Sequence, residues 1–167
     1  MTTTLVEHRR GLNLLGFGFC AALLAFAVYL EHVQGLEPCP LCIFQRVTFA
    51  ALGLVLLVAG LHAPRRGGGR VYAVLGLIIA AAGVGLALRH LWLQSLPPDQ
   101  VPACGPGLNY MLETFPPMQA LQMVLSGSGE CAEVDRILGV SIPAWTLVAF
   151  VLTGIGGVLV NWPARRR

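Results

Sequence analysis

Four apolar runs, at about residues 11–30, 41–61, 71–91 and 144–160, constrain this chain more than any other feature, because each is long enough to cross a bilayer. At a rise of about 1.5 Å per residue, roughly twenty residues of helix match a hydrocarbon core about 30 Å thick. Lipid offers the backbone no hydrogen-bonding partner, so such runs must satisfy their amides internally as helices. The economical fold is an all-α membrane protein: an antiparallel bundle of four transmembrane helices forming one integral domain over 1–167. The short turn at 64–70, with Pro64 and three consecutive glycines, is expected to break any helix. The loops at about 31–40 and 92–143 fall on the opposite face. A cleaved signal peptide is the competing reading of the first run, since Ala25-Phe26-Ala27 fits an A-x-A site. The run is too long for a signal core, however, and A-x-A recurs at Ala80-Ala81-Ala82.

Charge placement orients the bundle. Only 11% of residues are charged, against roughly 25% in soluble domains, and all eleven basic residues are arginines. Eight of the eleven lie in the N-terminal tail (Arg9, Arg10), the turn (Arg65, Arg66, Arg70) and the C-terminal tail (Arg165 to Arg167). These segments share one face by span parity, and arginine-rich short loops are cytoplasmic. Seven of the eight acids, among them Glu31, Glu37 and Asp135, fall on the other face. Both termini are therefore expected in the cytoplasm, and nothing in the arginine pattern resembles a nucleic-acid patch. Tyr29, Trp92 and Trp145 would mark the outer interface and Tyr72 and Trp162 the inner one. Small residues at helical spacing, Gly76/Ala80/Gly83/Ala87 and Ala149/Thr153/Gly157, indicate close helix contacts.

The long loop has its own pattern. Met118, Leu121, Val124 and Leu125 fall on one face of a short helix, suited either to the membrane surface or to packing on the loop itself. Ser126-Gly127-Ser128-Gly129 reads as a flexible hinge before Cys131.

Four of the five cysteines lie in or beside the outer loops: Cys39, Cys42, Cys104 and Cys131. Three disulfide pairings are open, and adjacency favours Cys39 with Cys42. A C-x-x-C opening a helix is a redox arrangement, because the helix N-terminus stabilises a thiolate. So short a loop would add little as a staple, whereas a Cys104/Cys131 bridge could simply be structural. Arg46 follows Cys42 by four residues and shares its face of the helix. An arginine there either snorkels to the headgroups or meets an anion or carbonyl oxygen beside Cys42. A thiolate beside a fixed cation and facing lipid calls for a lipid-soluble electron acceptor. Cys20, four residues after Gly16 in the first run, reads as a packing residue. His8, His32 and His62 sit at span ends on opposite faces, so no metal site is expected.

The combination of four spans, C-P-L-C-x-x-x-R opening the second, two cysteines in the long loop and S-I-P-A-W leading into the fourth resembles the DsbB family over nearly the whole chain. That resemblance implies a quinone-linked thiol oxidase of the bacterial inner membrane, working with a soluble periplasmic DsbA-like thioredoxin-fold partner and the membrane quinone pool, ubiquinone or menaquinone. It further implies a Cys104–Cys131 disulfide attacked at Cys104 by the reduced partner. Cys131 then attacks Cys39 and frees Cys42 to face the quinone. Arg46 matches the family's quinone-site arginine, and His90 resembles its second quinone-site residue. Gln45 stands where some members have Glu.

Two rivals remain at this point. A vitamin K epoxide reductase-like bundle also passes electrons between thiols and a quinone, but carries its C-x-x-C late in the helix order. A non-catalytic membrane subunit with structural disulfides would need no reactive thiols at all.

Overall fold

The computed structural model describes residues 2–64, 68–103, 105 and 108–162. Four long helices carry the fold: α1 (Thr2–Gln34), α2 (Pro40–His62), α3 (Gly68–Gln94) and α6 (Ile142–Asn161). All four are long and apolar enough to cross a membrane, and they are packed as a ring in the order α1, α2, α3, α6. Most of their apolar surface faces outward; only 11% of the most apolar window of α1 is buried. Leu15, Val47, Ile78 and Leu159 are all more than half exposed. In water such a surface would aggregate, so its solvent is hydrocarbon.

The helices overrun the sequence limits. α1 continues to Gln34, which makes Glu31 a helical residue instead of part of a polar hairpin. Gly68, Gly69 and Arg70 open α3 rather than extending the turn. Glycine is tolerated there because the first turn sits against α6, and a side chain at 69 would strike the Asn161 carbonyl. Arg65, Arg66 and Arg165 to Arg167 lie outside the described residues.

Small residues set the helix spacing. The buried seam of α3 runs Gly69, Ala73, Gly76, Ala80, Gly83, Ala87, His90, Leu93. Gly83 lies flat against the Phe150 ring, and a Cβ on Gly154 would come within 2.7 Å of that of Ala80. Phe150 in turn stacks on Phe49 with ring centroids 3.8 Å apart. Cys20 packs in this same core beside Gly53, remote from the other thiols.

At one end, α1 and α6 are locked by amides. Asn13 Nδ2 donates to Asn161 Oδ1 at 3.1 Å and Asn161 Nδ2 donates back to Asn13 Oδ1 at 2.7 Å. Arg9 donates to the Val160 and Asn161 carbonyls, both at 2.9 Å, filling acceptors that the end of α6 leaves open. At the other end the long loop folds down on the bundle through α4 (Leu108–Thr114), α5 (Pro117–Ser126) and a 3₁₀ turn, Gly129–Ala132. A two-stranded hairpin follows, β1 (Arg136–Ile137) against β2 (Val140–Ser141), with Leu138 and Gly139 both at positive φ at its tip.

The amphipathic face expected on α5 is divided. Ala120 and Val124 are buried against the thiols, whereas Met118, Leu121 and Leu125 point outward. Arg89 on α3 holds the end of this helix by donating to the Leu125 carbonyl at 3.0 Å and the Ser126 carbonyl at 2.8 Å, while its guanidinium lies over the Trp92 ring. The segment from Ser126 to Gly129 is a fitted turn, not an open hinge. Gly127, at φ +82°, lies so close to Leu93 that no side chain would fit, and Ser128 is buried.

Candidate functional site

Cys39 is the N-cap of α2, and Pro40 fixes the first helical position. Its carbonyl accepts from the Ile43 amide at 3.1 Å while its side chain makes no capping bond, so the sulphur is left for other partners. Cys42, one turn on, shares that face. The two sulphurs lie within 4.8 Å of one another but have different surroundings. Cys39 is 7% exposed and lies in the cluster of Leu41, Leu93, Met111, Ala120, Val124 and Cys131 under the loop. Cys42 instead reaches the wall of a cavity of about 500 Å³ between α1, α2 and α6.

Cys131 is fully buried on the 3₁₀ turn, where Leu41 and Ser128 backbone groups point to its sulphur. Its thiol is held well above the ordinary thiol range, first by the hydrogen bond to the Cys39 side chain and second by burial. The Cys131 sulphur thus lies between its own loop, with the Ser128 hydroxyl at 3.8 Å, and the buried cluster that holds Cys39. Cys104 lies outside the described residues; of its neighbours, Ala103 accepts a hydrogen bond from the Gly129 amide at 3.3 Å. Cys20, Cys39, Cys42 and Cys131 are all free thiols here.

The cavity is apolar over most of its wall, lined by Phe19, Leu23, Phe49 and Trp145 among others, with Cys42, Gln45, Arg46 and the hairpin residue Ile137 also on its wall. Arg46 pairs with Glu31 and donates to the Ala27 carbonyl at 3.2 Å, so α1 supplies it with both an anion and a carbonyl. This pairing exists because α1 is longer than its apolar run: Ala27 and Glu31 are four residues apart and share a face.

His90 stands elsewhere. It is buried at the end of the α3 seam and does not line the cavity; it lies behind the cysteines, with Nε2 3.9 Å from the Cys39 sulphur and Nδ1 3.9 Å from that of Cys42. Gln45 Nε2 approaches His90 Nδ1 at 3.3 Å, and the Thr146 hydroxyl donates to Gln45 Oε1 at 2.7 Å. Among the described residues, ligand atoms of Cys39, Cys42 and His90 lie within 4.8 Å of one another, close enough to share a soft metal ion. The expectation of no metal rested on His8, His32 and His62, which take no part in this group. Thr146 escaped the sequence reading, although a hydroxyl two residues inside the fourth apolar run was the available signal.

A thiol pair at the lipid boundary that meets a loop thiol on one side and an apolar chamber on the other suits a membrane enzyme that makes disulfides. Comparison with known proteins gives its family. The family model described as "Disulfide bond formation protein DsbB" matches residues 9–160. The chain is 57% identical over 142 residues to disulfide bond formation protein B of Nitrosococcus oceani, covering 84% of each. It is 57% identical over 143 residues to that of Hahella chejuensis (85% of this chain, 87% of the relative), and 50% identical over 159 residues to that of an Azoarcus species (95% and 93%). The chain belongs to the DsbB family and is a multi-pass membrane disulfide-forming oxidoreductase.

Proposed function

We propose that this chain reoxidises a soluble periplasmic DsbA-like dithiol partner and passes the electrons to a membrane quinone, from the bacterial inner membrane with both termini cytoplasmic. The observation that carries the reading is the cavity: apolar, about 500 Å³, and walled in part by both Cys42 and Arg46. Its size is that of a small-molecule site, and its lining suits an isoprenoid ring compound, so the residues present fit a quinone. A bound quinone supplies a two-electron, two-proton acceptor for the pair of hydrogens removed from the partner's dithiol.

Each residue then has a defined task. Cys131 exchanges with Cys39, which its sulphur already adjoins, and this passes the oxidising disulfide outward to Cys104 and the partner. Cys42 presents its sulphur to the cavity. Arg46, held by Glu31 and Ala27, would hold a quinone through its remaining guanidinium hydrogens and would stabilise negative charge on it. His90 serves the sulphurs from the side away from the cavity. The arginine distribution supports the cytoplasmic placement of both ends, and Arg9 meeting Asn161 agrees with the ends sharing one face.

The test is purified protein with a reduced thioredoxin-fold dithiol and a water-soluble quinone analogue. Quinone bleaching in proportion to the disulfide formed is the expected result. Thiol oxidation that proceeds without quinone, or none at all, would overturn the proposal.

A further inference from the structure

We propose that Gln45 is a positioning residue that fixes the proton of His90 on Nε2, so that the imidazole donates to Cys39 and not to Cys42. The inference rests on the functional reading above only in treating those sulphurs as the reacting atoms. It begins from a chain of four buried or half-buried polar groups spanning three helices: Thr146 on α6, Gln45 and Cys39 on α2, and His90 on α3.

The donors determine its direction. An amide nitrogen can only donate, so Gln45 Nε2 at 3.3 Å requires a lone pair on His90 Nδ1. A neutral imidazole with a bare Nδ1 carries its proton on Nε2, and Nε2 is the nitrogen facing the Cys39 sulphur at 3.9 Å. The structure turns the amide oxygen to Thr146, whose hydroxyl donates to Gln45 Oε1 at 2.7 Å, and this leaves the amide nitrogen for His90.

The consequence is an asymmetry between two sulphurs three residues apart. Cys39 meets an N–H donor, and Cys42 meets the unprotonated side of the same ring. The polar side chain at 45 is thus buried for its orientation rather than for its polarity: a carboxylate there could accept but never donate, and would draw the proton to Nδ1.

The experiment uses the full chain in lipid nanodiscs with ¹⁵N-labelled histidine, the His90 signal being assigned from its loss in His90→Asn. The expected result is Nε2–H with unprotonated Nδ1 in the native chain, and a proton on Nδ1 in Gln45→Glu. Should Gln45→Glu fail to fold, Thr146→Val, which keeps shape and loses only the hydroxyl, is expected to mix the tautomers, while Thr146→Ser keeps the native one. A native Nδ1–H tautomer, or one that neither Gln45→Glu nor Thr146→Val moves, overturns the proposal. This readout needs neither quinone nor partner, so loss of quinone-dependent turnover would count against the proposed function alone.

Discussion

The two ends of this bundle each bury a polar chain between helices, and they are built differently. At the end near the termini, the amides of Asn13 and Asn161 bond each other in both directions, and Arg9 fills the last carbonyls of α6. These bonds are 2.7 to 3.1 Å long and involve only groups that ordinary pH leaves unchanged. At the thiol end the chain starts with a short Thr146–Gln45 bond and then loosens to 3.9 Å contacts with sulphur. One network is closed and holds helices together. The other loosens at the sulphurs, the atoms that the proposed exchange would repartner.

The sharpest way to break the comparison is at the sulphurs. Cys39→Ser and Cys42→Ser should each reduce turnover by about a thousandfold or more while the unfolding temperature changes little. A serine variant that still turns over would remove the chemical meaning of the open end. Next in size, Arg46→Ala should lower kcat/KM for quinone by about a hundredfold and leave single-turnover disulfide exchange with the partner nearly intact. Equal losses in both half-reactions would make Arg46 a structural residue paired with Glu31.

The closed end should behave in the opposite way. Asn13→Ala leaves the buried Asn161 amide short of a partner and should cost about 1–3 kcal/mol of stability, with activity of the folded protein unchanged. Reduced protein should also show a pH effect centred on Cys131. Its thiol is held up by Cys39 and by burial, so the folded chain keeps a proton that the unfolded chain releases. That contribution is complete below the ordinary thiol pKa of about 8.5 and is lost as pH rises above it. Melting scans of reduced protein between about pH 7 and pH 10 should show the decline, and Cys131→Ser should flatten it. Smallest of all, Cys20→Ala should retain activity within about twofold, because that thiol packs against Gly53 far from the others.

Much of this was legible in the residues. Hydropathy and helix length are local properties, so the four spans and their antiparallel order followed from them, and C-P-L-C-x-x-x-R marked the helix start where the thiols cluster with His90. Partnerships between helices were not local. Arg46 was seen to need an anion, but its partner Glu31 was hidden because amphipathic turns extend α1 beyond its apolar run. His90 was seen as an interface residue, yet it falls three residues after Ala87, on the continuation of the small-residue seam that faces inward. Gln45 and Thr146 are single polar residues in apolar runs, and only the approach of α6 to α2 joins them. The hinge reading failed because glycine serves two ends, freedom and close approach, and Gly127 is there for the second.

The meeting of Arg9 with Asn161 makes the bundle topologically close to a closed loop of helices. A circular permutant is therefore conceivable in which a short linker joins the original ends and the chain is cut instead at the hairpin tip, where Leu138 is 89% exposed. In such a molecule the C-x-x-C helix would keep its neighbours both in space and in order of synthesis, and among the long helices only α6 would move to the front. Insertion into the membrane would begin with a different helix, while the finished site would contain the same atoms.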